Sequence, residues 1–521
     1  MTQNLLTSRT PIIEQLILTT CLGQTIDIRP QMISFTINED FYFPCLTGLI
    51  DIQDSIGMFD QFPISGNEKL TVKFYSWDYD TNNRTVDFIH RTFSILKITN
   101  IKQVNDYTKT YTLYFASPEL KMNETIKVSK SYQNCSISKV IAELLTDEYD
   151  PKDSEPIGLS LPKTDLAQPV VKSLFLNPDG NLSENIELLA QKVDEQDSIE
   201  IFVEKTKYIE PFITIPYAKP FEIINQLASR SIRLCGGRNN TSEETTVCNF
   251  LFFENKRGYQ YVSLDTLLEN KNPNIPMPVF HFANAAQNMT DANGGRTVNR
   301  GVIESFQWLN CHDVLQNINN GMYASRLITY DMSNGETYTS DYDYNKEFYN
   351  TESTERTDLE NDYPMVYLDK QDSNSDLTNK PFSRYMMMPT IIRGIDLSTS
   401  GFSQRINDLK ELVGTQEYLQ KRASQLSRLE NIKVVIQISG NSQHKVGDLV
   451  ELDLKYLPLF DGNAKSREKA IKYYSGIYII TSIKHSVSLF EYKMTIELAK
   501  DSFKEKIGEL SDSTKVVDTK L

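Results

Sequence analysis

The chain has 521 residues, with 54 basic against 69 acidic side chains and a formal net charge of −15. That length admits roughly three or four domains with sizeable cores. The acidic balance argues against a surface built to hold nucleic-acid phosphates. Abundant tyrosine and phenylalanine (27 and 25) beside only 22 glycines bias the chain toward strands rather than α/β nucleotide folds.

Cys21, Cys45, Cys135, Cys235, Cys248 and Cys311 form no CxxC pair, so neither a zinc site nor a small disulfide scaffold is expected. No apolar run approaches the roughly 20 residues of a membrane span. The start, Met1-Thr2-Gln3-Asn4, lacks the basic and apolar regions of a signal peptide, so the expected place of synthesis and folding is a cytoplasm.

Residues 26–120 read as strands. Ile33, Phe35 and Ile37 alternate with Ser34, Thr36 and Asn38, and Leu70, Val72 and Phe74 alternate with Thr71, Lys73 and Tyr75. Several antiparallel strands in so short a stretch predict a small barrel or sandwich. Near residue 121 the rhythm changes. Ser136 or Ser138 is placed to cap a helix carrying Val140, Ile141, Leu144 and Leu145. Residues 181–193, with Ile186, Leu189, Ala190 and Val193 at helical spacing, predict a second helix. Strands follow at 198–203 and 212–215, and Pro220 opens a helix bearing Ile223, Ile224, Leu227 and Ala228. Residues 236–246 read as a loop. The run Asn249-Phe250-Leu251-Phe252-Phe253 leads through a tight turn into a return strand, capped by a helix from Ser263 through Leu267. A polar stretch at 333–380 reads as an extended excursion. Beyond Arg405 a helix carries Leu412, Leu419, Ala423 and Leu426; Val434, Ile436 and Ile438 restart the strand rhythm, and Val446-Gly447-Asp448 turns into another strand. Residues from about 507 read as a frayed tail.

One β-unit occurs twice. Ile98-Thr99-Asn100-Ile101-Lys102 is matched by Ile480-Thr481-Ser482-Ile483-Lys484, and the strand from Tyr111 to Ser117 by that from Met494 to Lys500, with one residue of slippage. A chain with two quasi-equivalent blocks gives an oligomer twice as many blocks as subunits.

The pattern supports little chemistry. His90, His281, His312, His444 and His485 show no HxH or HxxxH spacing, and no nucleophile-elbow, Walker or dinucleotide glycine motif occurs. Asp341, Asp343, Asn345 and Glu352 fall at positions one, three, five and twelve of a calcium loop, but Lys346 stands where that loop needs glycine. An enzyme acting on cell wall or polysaccharide would need a clustered carboxylate pair, and no pair stands out. A carbohydrate-binding module would rest on Trp77 and Trp308, which lie far apart. No catalytic, cofactor-binding or metal-ligating residue is therefore expected.

Four further segments carry a resemblance. They are Pro220-Phe221-Glu222-Ile223-Ile224-Asn225-Gln226-Leu227-Ala228-Ser229-Arg230; Phe250 to Asn255 with Gly258-Tyr259; Gly321-Met322-Tyr323-Ala324-Ser325 with Leu327 to Asp331; and Ser475-Gly476-Ile477-Tyr478. In this order, with the terminal units, they resemble the baseplate hub subunit of contractile-tailed (T4-like) bacteriophages, related to the N-terminal hub part of type VI secretion spike proteins. The resemblance implies a mainly β fold with an α+β middle domain: two similar tube-type antiparallel β-barrels flanking a mixed insertion. The expected bounds are 1–120 for the first barrel, 121–330 for the middle domain, 331–385 for the polar excursion, 386–505 for the second barrel and 506–521 for a flexible tail. Residues 198–215 are expected to add strands to the second barrel.

The resemblance also implies a structural, non-enzymatic homotrimer that joins a sixfold tail tube to a threefold central spike and forms part of the DNA channel in the virion baseplate. The spike is expected to be a separate chain, neighbouring wedge proteins are possible contacts, and DNA passes without specific binding through an acidic lining. Interface candidates taken from the repeated unit are Ile98, Ile101, Leu113, Phe115, Ile480, Ile483, Ile496 and Leu498.

Overall fold

A computed structural model describes residues 11–61, 64–78, 83–84, 88–146, 186–191, 199–233, 248–269, 277–281, 301–331, 337–348, 351–355, 384–390, 395–396, 418–456, 469–470 and 473–503. The fold is mainly β, with an α+β middle region. Within one 14-stranded sheet, two sets of four strands repeat. The first set is β1 (Met32–Asp40), β2 (Thr47–Asp54), β3 (Ile89–Asn105) and β4 (Thr108–Ala116), lying side by side in the order β1-β2-β4-β3. The second is β5 (Ile303–Asn310), β6 (Ile432–Ser439), β7 (Gly476–Ser488) and β8 (Tyr492–Lys500), in the order β5-β6-β8-β7. Every step within both sets is antiparallel.

Two irregularities recur at corresponding places. Between β3 and β4, Ile95 faces Phe115 and the next pair is Lys97 with Tyr114, so Leu96 is an extra residue; between β7 and β8, Ile480 faces Leu498 and the next pair is Ser482 with Glu497, so Thr481 is extra. Between β1 and β2 the pairing steps from Met32–Ile52 to Ser34–Asp51, and between β5 and β6 from Ile303–Ile438 to Ser305–Gln437. Bulges set local twist and register, so two shared bulges are a stronger sign of duplication than similar sequence. They also correct the sequence match. The structure pairs Ile98 with Leu113 and Ile483 with Ile496, so Ile98 corresponds to Ile483 rather than Ile480. The Ile-Thr words line up only with the register shifted by three residues, since Thr481 is itself the extra residue of the second unit and Thr99 is not that of the first.

Alternation builds the core. Along β8 Met494, Ile496 and Leu498 are buried while Lys493, Thr495 and Glu497 are partly exposed, the period-two pattern of a strand with one dry face. The sheet curls until Phe74, on the strand Lys69–Asp78, meets Phe35 of β1 edge-on at 5.3 Å and Tyr492 of β8 at 5.5 Å. Neither unit closes into a barrel among the described strands. Closure would require β7 to return to β5; the first half of β7 pairs with Leu449–Asp453, that strand with Val279–His281, and His281 meets Val302, just before β5, by a single bridge, while the second half of β7 pairs with β1. The second unit also starts upstream of residue 386, because it takes β5 from 303–310.

Other expectations are corrected by pairing. Residues 186–191 form a strand, not a helix, antiparallel to Ile199–Glu204. Ile186, Leu188 and Ala190 stand at strand spacing and Ile186, Leu189 and Ala190 at helical spacing, and the neighbouring strand decides between the two periods. Ile199–Glu204 then pairs with Gly258–Ser263, and Tyr208–Ala218 pairs on one side with Val128–Ser136 and on the other with Ile395–Asp396, inside the stretch expected for the second barrel. Helices at Ile137–Thr146, Pro220–Ala228, Leu264–Glu269 and Leu419–Leu429 lie where expected, and the Ser136 hydroxyl accepts from the amide of Lys139. Leu412, Cys235, the 236–246 loop and the tail beyond 503 lie outside the described residues.

In the polar stretch 331–385, Thr337–Asp343 pairs with Ala324–Asp331, and Thr351 to Glu355 is a buried strap. Asp341 of the calcium-like pattern forks onto Arg326 at 2.6 Å, Asp343 caps the amide of Asn345, and the backbone of Glu352 bonds Asp265. Among the described residues no three His, Cys, Asp or Glu side chains are grouped to hold a metal, and no helix is long and apolar enough to cross a membrane.

Candidate assembly surface

The two units meet within the chain. The second half of β7 pairs with β1 from Ser482–Asp40 to Ser488–Ser34, while its first half pairs with Leu449–Asp453. Beneath this seam lies a buried polar link. Tyr492 Oη and His485 Nδ1 are 2.8 Å apart, His485 Nε2 is 3.4 Å from Glu39 Oε1, and Glu39 Oε2 accepts from the amide of Val446. Burial, with the Glu39 carboxylate beside it, pushes the Tyr492 phenol far up, so it stays a hydrogen-bonding hydroxyl.

The same half of β3 is differently placed. Its first part pairs with Lys69–Asp78 up to Ser94, but from Lys97 to Asn105 its only described partner is β4. At the other end of the sheet, the order stops at β5, whose one partner strand among the described residues is β6; just before it, Val302 forms a single parallel bridge with His281. By the correspondence of units, β3 matches β7 and β5 matches β1. The two edges that no described strand pairs along, the outer half of β3 and β5, are therefore the same two strand types that join in the seam. A long open edge is a template for further pairing, and natural folds rarely leave one without a cover.

The sequence-derived interface candidates divide accordingly. Leu113, Phe115, Ile480, Ile483, Ile496 and Leu498 are buried in the single chain, and Ile98 packs against the same core. They hold the units together. Of the eight, Ile101 alone is mostly outside the core, at 51% exposed. Positive φ at Asn100 marks a second bulge, between Thr99 and Lys102, that turns this stretch outward. The edges were missed in the sequence because an edge is defined by the partner a strand lacks.

The middle region docks on the first unit through buried acids. Glu254, on the strand Phe250–Asn255, accepts from the amide of Leu46 at 2.9 Å and from the Ser117 hydroxyl, with Arg91 3.9 Å away. The Tyr259 hydroxyl donates to Glu119 at 3.0 Å. Burial pushes Glu254 up to about 7 and raises Glu119, against the pull of Arg91. A carboxyl whose folded pKa is raised binds more protons folded than unfolded, so it stabilises most at low pH and this contribution is lost as pH rises from about 4.5 to about 7. Denaturation midpoints are thus expected to fall across that window. Glu254→Gln should flatten the slope, and an unchanged slope would show that these acids do not control it.

This chain, mainly β with a doubled four-strand unit around an α+β insertion, is similar to known tail proteins. Along 459 residues the chain is 20% identical to the probable baseplate hub protein gp334 of Vibrio phage KVP40, covering 88% of this chain and 87% of that one. It is also similar to the 43 kDa tail protein of prophage MuSo2 from Shewanella oneidensis (9% identity, TM-score 0.42, 94% and 98% of the chains). A tail protein from Neisseria meningitidis MC58 matches at 11% identity and TM-score 0.39, over 94% and 96%. No family model matches. The resemblance to baseplate hub subunits read from the sequence is thus carried by a relative spanning most of the chain.

Proposed function

We propose that the protein is the structural hub of a contractile-phage baseplate, a homotrimer whose six quasi-equivalent β-units form a ring seated on a sixfold tail tube. The observation that carries this is the seam of β7 with β1 inside one chain, together with two edges of the same strand types that no described strand pairs along. Pairing the outer half of β3 in one copy with β5 of the next repeats the seam head to tail, and three copies give six units. The partners inferred are the tail tube, a threefold central spike and neighbouring wedge proteins, and the place is the tail of the virion. The alternative of a wall-degrading enzyme would need a carboxylate pair open to substrate, and the acids that stand together at Glu119 and Glu254 are buried.

The internal register gives the expected one between chains. Ser486 faces Thr36 in the seam, and the matched positions are Lys102 on β3 and Gln307 on β5. In a background with the exposed Cys21 and Cys311 replaced by serine, Lys102→Cys with Gln307→Cys should form a disulfide between chains on oxidation. Facing Cα atoms in an antiparallel pair are about 4.5–5.5 Å apart, within disulfide reach. The native protein should have three times the mass of one chain in solution. A persistent monomer, or cross-links only within chains, would refute the ring.

With a net charge of −15, such a ring suits a passage through which DNA slides, since a basic wall would trap phosphates. The lining is expected to be net acidic. A structure of the assembled ring with a basic bore would contradict this.

A further inference from the structure

Two turns of the same construction carry aromatic side chains that no part of the chain covers. Between β3 and β4 the chain turns through Asn105-Asp106-Tyr107-Thr108, and between β7 and β8 through Ser488-Leu489-Phe490-Glu491. Tyr107 stands six residues before Leu113, and Phe490 six before its counterpart Ile496, so the two rings occupy one position of the repeat. They are 86% and 83% exposed. Hairpin turns ordinarily take Asn, Asp or Gly, and an aromatic ring there buries nothing in its own chain. Both turns are braced. The Asn105 side chain accepts from the amide of Tyr107 at 3.0 Å, and the Ser488 hydroxyl accepts from the amide of Glu491 at 3.1 Å.

The sheet also aligns them. From β7 to β3 the path crosses β1, β2 and β4 by four antiparallel pairings, so β7 and β3 run in the same direction and both turns leave the same end of the sheet. In a ring of three chains, six rings of carbon would stand on one face. A threefold partner would meet the two turns in unlike surroundings and would have no need of an aromatic in both. A sixfold partner would meet them alike.

Resting on the ring described above, we propose that Tyr107 and Phe490 are equivalent anchors that enter six identical apolar sockets on a sixfold ring, the end of the tail tube. Aromatic side chains held on rigid turns lose little conformational freedom on docking and dominate many interfaces. The test is co-sedimentation of the hub with tubes assembled from the tube protein of the same phage, with the solution mass of every variant measured beside it. Tyr107→Ser and Phe490→Ser should each weaken tube binding at least about tenfold, and the double variant should abolish it, with trimer mass unchanged. Leu315→Ser, at an exposed leucine outside the turns, should bind as the native protein does. A double variant that binds normally as a trimer would refute the anchors and leave the ring standing. A double variant that loses trimer mass would also refute them, placing the turns at the chain-to-chain seam. A native protein that is monomeric, yet loses tube binding in the double variant, would refute the ring and keep the anchors.

Discussion

Glu355→Ala is expected to destabilise the protein by about 3–5 kcal/mol, because it removes the carboxylate paired with a buried ammonium. Lys500, at the end of β8, is fully buried; it donates to Glu355 Oε1 and to the carbonyl of Ser475 at 2.8 Å, and lies 5.4 Å from the centre of the Tyr478 ring. The same Glu355 oxygen accepts from the amide of Ile477 at 2.8 Å. The site has no spare room: a Cβ at Gly476, whose φ is +127°, would lie 1.8 Å from Glu355 Oε1. The pair thus ties the strap at 351–355 to the base of the β7–β8 hairpin. Replacing both partners, Glu355→Leu with Lys500→Met, should recover much of the loss, since an apolar pair of similar volume carries no desolvation cost. The check is a set of urea midpoints. A single variant within about 1 kcal/mol of the native protein would mean that water reaches the ammonium.

Gly48→Val is expected to cost about 3 kcal/mol, at the upper end of ordinary overpacking. Gly48 on β2 faces Phe115 on β4, and a Cβ there would sit 2.3 Å from the carbonyl oxygen of Thr36 and 2.4 Å from the Phe115 ring. The second unit solves the same position differently. Its β6 carries Val434 opposite Leu498 of β8, both buried. A large ring over glycine in one unit is replaced by two middle-sized aliphatics in the other, which conserves volume across the facing pair. Gly48→Val with Phe115→Leu copies that second solution. The double variant should therefore be more stable than Gly48→Val alone, with a coupling of about 1–2 kcal/mol in a double-mutant cycle. Additive losses would indicate that the Thr36 carbonyl, rather than the ring, sets the limit.

The duplication was legible because two hairpins kept similar Ile, Thr and Lys words, but only half of each unit could be seen that way. β1 and β5 share little beyond Phe35 with Phe306 and Ser34 with Ser305, each placed by its pairing with β2 or β6. Their kinship appears only when the ladder is laid out. The strand at 186–191 shows the same limit from the other side, since its apolar residues fit a helix and a strand equally until Ile199–Glu204 lies beside it. The aromatic turns were present in the sequence as Tyr107 and Phe490, yet nothing local tells an exposed ring from a buried one.

The order of residues alone determined the class of fold, the repeated hairpins, most helices and the poverty of chemical motifs, because alternation, capping and spacing act over a few neighbours. Tertiary structure decided which half-edges are covered. It also decided that the units join in one sheet through the pairing of β7 with β1, and which candidate side chains were spent on the core. Strand pairing links residues hundreds of positions apart, as Lys484 with Asn38 does, and no local pattern encodes which of several similar strands becomes the neighbour.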